Sequence, residues 1–202
     1  MPSERFIHLP DEKKERIKNA AISELSQVSL DELSINRIIK VAEIPRGSFY
    51  EYFEDKYDLV NYIMSDFKVA IKEFTENEIS ENNRDIFKIA ENLFSFIIDL
   101  KLENNNMQLF KNIFSCLKFS EKDLKFMFYT RNMIIDKYYD KVDLDNYKIS
   151  SKEEFACLLD VILDIFAKET VSFFIEPKNQ VQHKELFLKK LSILKYGVIK
   201  PL

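Results

Sequence analysis

The chain has 202 residues, of which 46% are hydrophobic and 32% charged, with a net charge of −4. That is enough apolar material for a small domain and a larger one, each with a full core, and it excludes a broadly basic surface that would hold nucleic acid by charge alone. Only 2 Gly and 5 Pro leave little material for turns, which points to long helices.

No apolar run approaches the roughly 20 residues of a membrane span. Met1-Pro-Ser-Glu-Arg5 lacks the basic-then-apolar pattern of a signal sequence. The expected compartment is therefore the cytoplasm. Cys116 and Cys157, far apart and in apolar surroundings, read as two reduced core residues. His8 and His183 have no Cys or His partner at metal-ligand spacing, so no metal and no cofactor is expected.

Residues 1–9 read as a short arm. Asp11 is placed to cap a helix to about Ser26, with Ile17, Ala21, Leu25 and Val28 at three-to-four spacing. Leu30 and Leu33 plug the core from the following loop. Ser34 then caps a second helix of about eight residues, whose Ile35, Ile38, Ile39 and Ala42 face inward. Glu43-Ile44-Pro45 is a turn, and Pro45 suits the first turn of the next helix, where its missing N–H costs nothing. That helix contains Gly47, a poor helix former, which suggests close backbone approach to a neighbouring helix or a phosphate. Phe49 and Phe53 are its inward anchors, with Tyr50 and Tyr52 pointing out between them. Asp55 caps one long helix over 55–77 carrying Leu59, Ile63, Phe67 and Ile71.

Further helices are expected over 84–102, 106–118, 121–140, 151–175 and 180–197, separated by Asn-rich and Pro-containing breakers. Ser120 with Asp123, and Ser151 with Glu154, have capping-box spacing or close to it. No segment alternates apolar and polar residues over a strand length. The fold class is all-α, with about nine helices. It divides into a three-helix head, residues 1–54, and a helical body, residues 55–202.

Helix, tight turn, helix over residues 34–53 is a helix-turn-helix. Its second helix must enter the major groove with its N-terminal side chains toward the bases. Arg46 stands at that end, suited to a bidentate guanine contact or to a phosphate. Ser48 suits a base or a phosphate, and Tyr50 and Tyr52, unless they pack inward, suit phosphates. Ser34 and Arg37 on the preceding helix could grip the same strand. Residues 1–60 hold 9 Lys/Arg and 12 Asp/Glu, a net of −3. A single head should therefore bind weakly, and two heads on a dimer would read a palindrome in successive grooves.

These segments resemble the TetR/AcrR family of bacterial transcriptional regulators. The resemblance rests on Arg16-Ile17 with Ala20 and Ala21, on Ile38-Ile39-Lys40-Val41-Ala42-Glu43-Ile44-Pro45, on Arg46-Gly47-Ser48-Phe49-Tyr50-Glu51-Tyr52-Phe53, and on Glu54-Asp55-Lys56-Tyr57-Asp58-Leu59. It covers roughly residues 12–60. It implies phosphate contacts for Tyr50 and Lys56, the latter also at a helix N-terminus that favours anions. The family's Gly after the second helix is here Glu43, which must adopt the conformation Gly takes freely.

In the body, segment 151–175 is apolar over most of its circumference. Phe155, Leu159, Ile162 and Phe166, with Phe187, Leu191 and Leu194 of the last helix, read as a four-helix interface between two copies. The resemblance implies the same arrangement, and a monomer core is the alternative. Phe94, Phe110, Phe114, Phe126, Tyr129 and Met133 lie on helices that would surround a central cavity, or else form core; the resemblance implies that a small effector binds there, and an aromatic lining would favour a hydrophobic one. The function expected is a DNA-binding transcriptional regulator, a ligand-responsive repressor acting as a homodimer. The alternative is a related protein-interaction module that no longer binds DNA. An enzyme is not expected: there is no Glu-x-x-His pair, no nucleophile with a base partner and no Gly-rich phosphate loop.

Overall fold

The computed structural model describes residues 2–80, 84–104, 107–116, 131–144, 147–176 and 180–197. In chain order the helices are α1 (Glu4–Ile7), α2 (Asp11–Leu25), α3 (Ile35–Val41), α4 (Arg46–Tyr52), α5 (Lys56–Ile63), α6 (Ser65–Ser80), α7 (Ile86–Asn104), α8 (Met107–Phe114), α9 (Arg131–Tyr138), α10 (Lys152–Ile175) and α11 (Gln180–Tyr196). A 3-10 turn, Tyr139–Lys141, follows α9. No strand occurs among the described residues, and none of their helices is long and apolar enough to cross a membrane. The fold is all-α. The chain divides into two compact units, Met1–Val69 with Asn106–Leu117, and Ala70–Asn105 with Lys118–Leu202.

The first unit is built on α2, whose Ile17, Ala21 and Leu25 are fully buried, as are Ile38, Phe49 and Leu59 of the following helices. Residues 1–9 form more than an arm. Ser3 caps α1, accepting from the Phe6 N–H at 3.3 Å, and Phe6 is buried among the rings of Tyr52, Phe53 and Tyr62. Asp11 is the first residue of α2 and makes no side-chain cap; Pro10 occupies the capping position. The acid still sits where the helix dipole favours it. The expected single helix over 55–77 is two, separated at Met64. The Ser65 hydroxyl donates to the Tyr62 carbonyl at 2.7 Å, the kind of back-bonding that bends a helix. Sequence reading also missed that α8 joins this unit: Asn112 donates from Nδ2 to the Leu25 carbonyl (2.7 Å), and its own carbonyl accepts the Leu30 N–H (3.1 Å).

The turn between α3 and α4 has a definite geometry. The Glu43 N–H bonds the Lys40 carbonyl and the Ile44 N–H bonds the Ile39 carbonyl, while Ile44 is buried. This is a Schellman motif, which asks for a left-handed residue just past the helix. Glu43 supplies it at φ 51°, as its place in the sequence required.

The second unit packs α7 against α10 and α11 around aromatic rings. Phe94 stacks on Phe187 with centroids 4.2 Å apart, and both meet Phe166 edge-on. Ser151 caps α10, accepting from the Glu154 N–H at 3.1 Å, and Glu154 reaches back to the N–H of Ser150 rather than that of the cap. Ser120 and Asp123 lie outside the described residues. Asp85 ties the ends of this unit together. Its carboxylate accepts from the Phe87 N–H (2.9 Å), the Tyr147 hydroxyl (2.7 Å) and Lys195 Nζ (2.5 Å). Burial alone would push the Asp85 carboxyl up, but these hydrogen bonds outweigh it and hold the group below its usual value. Tyr147, desolvated and beside that carboxylate, is pushed up to about 12.

Two outcomes are expected. Glu43→Gly removes the left-handed strain, worth about 1–2 kcal/mol, against the backbone entropy Gly adds to the unfolded chain. The net is a gain of about 0.5–1 kcal/mol, read as a rise of a few degrees in the thermal midpoint; an unchanged or lower midpoint contradicts the strain. A lowered folded-state pKa at Asp85 stabilises at pH values above the ordinary carboxylate pKa, and that share is lost as pH falls through the folded value. The stability gap between wild type and Asp85→Asn, measured by urea unfolding, should therefore be constant above about pH 5 and close below about pH 4. A gap independent of pH would show that Asp85 acts by shape alone.

Candidate nucleic-acid interface

Two short helices and the Schellman turn present one outward face. Ser34 caps α3, accepting from the Arg37 N–H at 3.4 Å. The Glu24 carboxylate of α2 accepts from the Ser34 N–H (3.4 Å) and from Arg37 Nε (2.6 Å), so α3 is tied to α2 at its first turn. Pro45 ends the turn and α4 begins at Arg46. Phe49 is fully buried and Phe53, just past the helix, is 1% exposed. These two rings fix which side of α4 faces out.

On that outer side stand Arg46, Gly47 and Tyr50, all exposed, with Ser48 half-buried beside them. A Cβ on Gly47 would meet nothing within 4 Å. Packing on a neighbouring helix of this unit therefore does not explain the glycine. Arg46 Nη1 donates to Asn36 Oδ1 at 2.8 Å, and its guanidinium carbon lies 5.9 Å from the centre of the Tyr50 ring. Tyr50 is 50% exposed and leans edge-on against Phe49.

Three other residues take different places. Tyr52 does not point out with Tyr50. It is 6% exposed, edge-on to Phe6, and its hydroxyl accepts from Lys13 Nζ at 3.2 Å. The expectation of two outward phenols is corrected because residues two apart on a helix lie roughly 200° apart and cannot share a face. Lys56 does begin a helix, with Asp55 accepting the Asp58 N–H as its cap. Its ammonium, however, donates to the Leu30 and Asp31 carbonyls at 2.8 and 2.9 Å. Arg37 keeps an exposed guanidinium, but its Nε is committed to Glu24.

Sequence reading missed Asn36 and the cap that α1 places on α4. Ser3 donates from its hydroxyl to the Glu51 carbonyl (2.6 Å) and from its N–H to the Tyr52 carbonyl (2.9 Å). The Ser-Glu pair at positions 3 and 4 was a legible start signal for α1. Nothing local marks Asn36, whose partner lies ten positions on.

The body residues singled out from sequence are distributed as follows. Phe155, Leu159, Ile162, Phe166, Phe187 and Leu191 are all buried by this chain itself, and Leu194 is half-buried. On the same two helices Val161, Leu186 and Ile193 remain 44–48% exposed. Phe94 joins the Phe166–Phe187 cluster, whereas Phe110 and Phe114 belong to the first unit, stacked on each other with Phe67 against Phe110. Phe126 and Tyr129 lie outside the described residues, as does the side chain of Met133 on α9.

Comparison with known proteins agrees with this architecture. Residues 17–63 match the model of bacterial regulatory proteins of the tetR family, and residues 85–198 match the Tetracyclin repressor-like C-terminal domain. An HTH-type transcriptional regulator of Staphylococcus aureus strain USA300 is 27% identical over 142 residues, 67% of this chain and 71% of that protein. A second, from the bovine strain RF122 / ET3-1, is 24% identical over 172 residues, 83% of this chain and 85% of that protein. Among solved structures, a putative TetR-family transcriptional regulator from Syntrophomonas wolfei shares the fold at TM-score 0.59 and 17% identity, covering 94% of this chain and 97% of that one. FadR from Bacillus subtilis, solved in complex with stearoyl-CoA, shares it at TM-score 0.54 and 15% identity, covering 92% and 99%. The two family models together span most of the chain, and it belongs to the TetR family of bacterial regulatory proteins: a DNA-binding transcriptional regulator and not an enzyme.

Proposed function

We propose that this regulator is a ligand-responsive repressor that acts in the cytoplasm and binds a palindromic operator as a homodimer. The observation that carries the reading is the outward face of α4, where Arg46, Gly47 and Tyr50 stand exposed on a helix fixed from behind. Arg46 is the base reader and Tyr50 a phosphate donor. Gly47, with open space around it, lets a phosphate approach the backbone.

Charge and leftover apolar surface support a dimer. Residues 1–60, with a net charge of −3, gain little from counterion release, so two heads about 34 Å apart are needed to reach useful affinity. Val161 on α10 and Leu186 and Ile193 on α11 are apolar residues left exposed beside the buried core of the same helices, and a second copy would cover them. The effector is a small hydrophobic molecule bound by the body; stearoyl-CoA in Bacillus subtilis FadR is a ligand with a long apolar part. It would bind more tightly to the state whose head spacing does not fit the operator, and so release the DNA.

Selection of bound duplexes from a random pool, followed by gel-shift titration, tests this. Arg46→Ala should weaken binding to the selected operator by about 1–3 kcal/mol and relax preference at one base pair per half-site. Selection of no sequence by wild type, or a site without two-fold symmetry, would end the reading. Lys56 serves the same interface from behind, holding the α2–α3 loop. Lys56→Met should lower stability by about 1–2 kcal/mol and leave the salt dependence of DNA binding unchanged. A salt slope smaller by about one would instead put its ammonium on a phosphate.

A further inference from the structure

We propose that Asn36, on the helix before the recognition helix, is the positioning residue that aims the Arg46 guanidinium at its base. The inference rests on the reading of Arg46 as a base contact. Three observations carry it. Asn36 Oδ1 accepts from Arg46 Nη1 at 2.8 Å, a well-formed hydrogen bond between two exposed side chains on different helices. Arg46 has a second brace, the exposed ring of Tyr50, 5.9 Å from its guanidinium carbon. Neither contact contributes to the core, since Asn36, Arg46 and Tyr50 all lie on the solvent side of the head.

An arginine at the first residue of a helix has several rotatable side-chain bonds, and here Asn36 and the Tyr50 ring are what restrain them. Reading guanine needs its planar fork presented in one orientation. Each rotamer-rich side chain immobilised on binding costs affinity, and a side chain already held in the bound orientation avoids that cost. Asn36 takes one nitrogen of the fork and leaves the rest of the plane for the base. A carboxylate at this position would also hold Arg46, but it would cancel its charge and stand against the phosphates. The neutral amide holds the group without either effect.

The test is a double-mutant cycle on the full chain, with the operator obtained by selection from a random duplex pool. Asn36→Ala should weaken operator binding about three- to tenfold, the usual cost of re-immobilising one long side chain. The loss should fall on discrimination at the base pair that Arg46→Ala relaxes. Affinity for a scrambled duplex and the salt slope should stay as in wild type, because no cation is removed. In an Arg46→Ala background, Asn36→Ala should have no further effect. Asn36→Asp should weaken binding to every duplex. The hydrogen bond is exposed, so the thermal midpoint of Asn36→Ala should match wild type, and a fallen midpoint would make Asn36 a stability residue and overturn the assignment. Equal losses in both backgrounds would mean that Asn36 touches DNA itself, and no loss in either would mean that it does nothing for recognition. Both outcomes overturn the inference while leaving the reading of Arg46 intact. If Arg46→Ala leaves base preference unchanged, that reading falls and this inference with it.

Discussion

A helix of seven residues cannot hold itself in water, because nucleating the first turn costs more than so few backbone hydrogen bonds return. Helix α4 is of that length, and what holds it in place is its packing against the rest of the head. Phe49 and Phe53 sink into the core and set its rotation. The Schellman turn, with Glu43 in the left-handed region, sets where it starts. Ser3 and the short helix α1 satisfy carbonyls at its far end, and Phe6 fills the space beneath. Arg46 and Tyr50 are outward only because these three anchors leave no other face free.

Charge is distributed just as sparingly. The head carries more carboxylates than cations, and several of its cations are already engaged within the protein. Arg37 is paired with Glu24, Lys18 with Asp66, and Lys56 with two loop carbonyls. Such a head gains little from releasing the counterions of DNA. Whatever selectivity it has must come from a few groups held in place, which gives a neutral partner such as Asn36 more weight than its small contribution to stability suggests.

In the body, the aromatic residues that stand out in sequence are mostly consumed by the chain's own packing. Phe94, Phe166 and Phe187 form one cluster, and Asp85 joins the start of α7 to Tyr147 and to the end of α11. What α10 and α11 leave exposed is a set of aliphatic side chains, Val161, Val181, Leu186 and Ile193, together with Tyr196 at the end of α11. Residues that look most hydrophobic in a helical pattern go to the nearest core first; the surface available to a partner is what remains.

The sequence by itself determined the all-α class, the spans of most helices to within a few residues, the caps at Ser34, Asp55 and Ser151, the left-handed demand on Glu43 and the helix-turn-helix that carries Arg46 and Tyr50. All of these are written within one or two turns of chain, in capping side chains, apolar spacing and backbone preference. Only the tertiary structure decided that Tyr52 turns inward to Lys13, that Lys56 holds a loop from behind, that Arg46 is braced by Asn36, and that α8 joins the head through Asn112 and Leu25, 87 positions apart. Each of those outcomes depends on what packs against a residue from a distant part of the chain, and no local pattern encodes the direction of that approach.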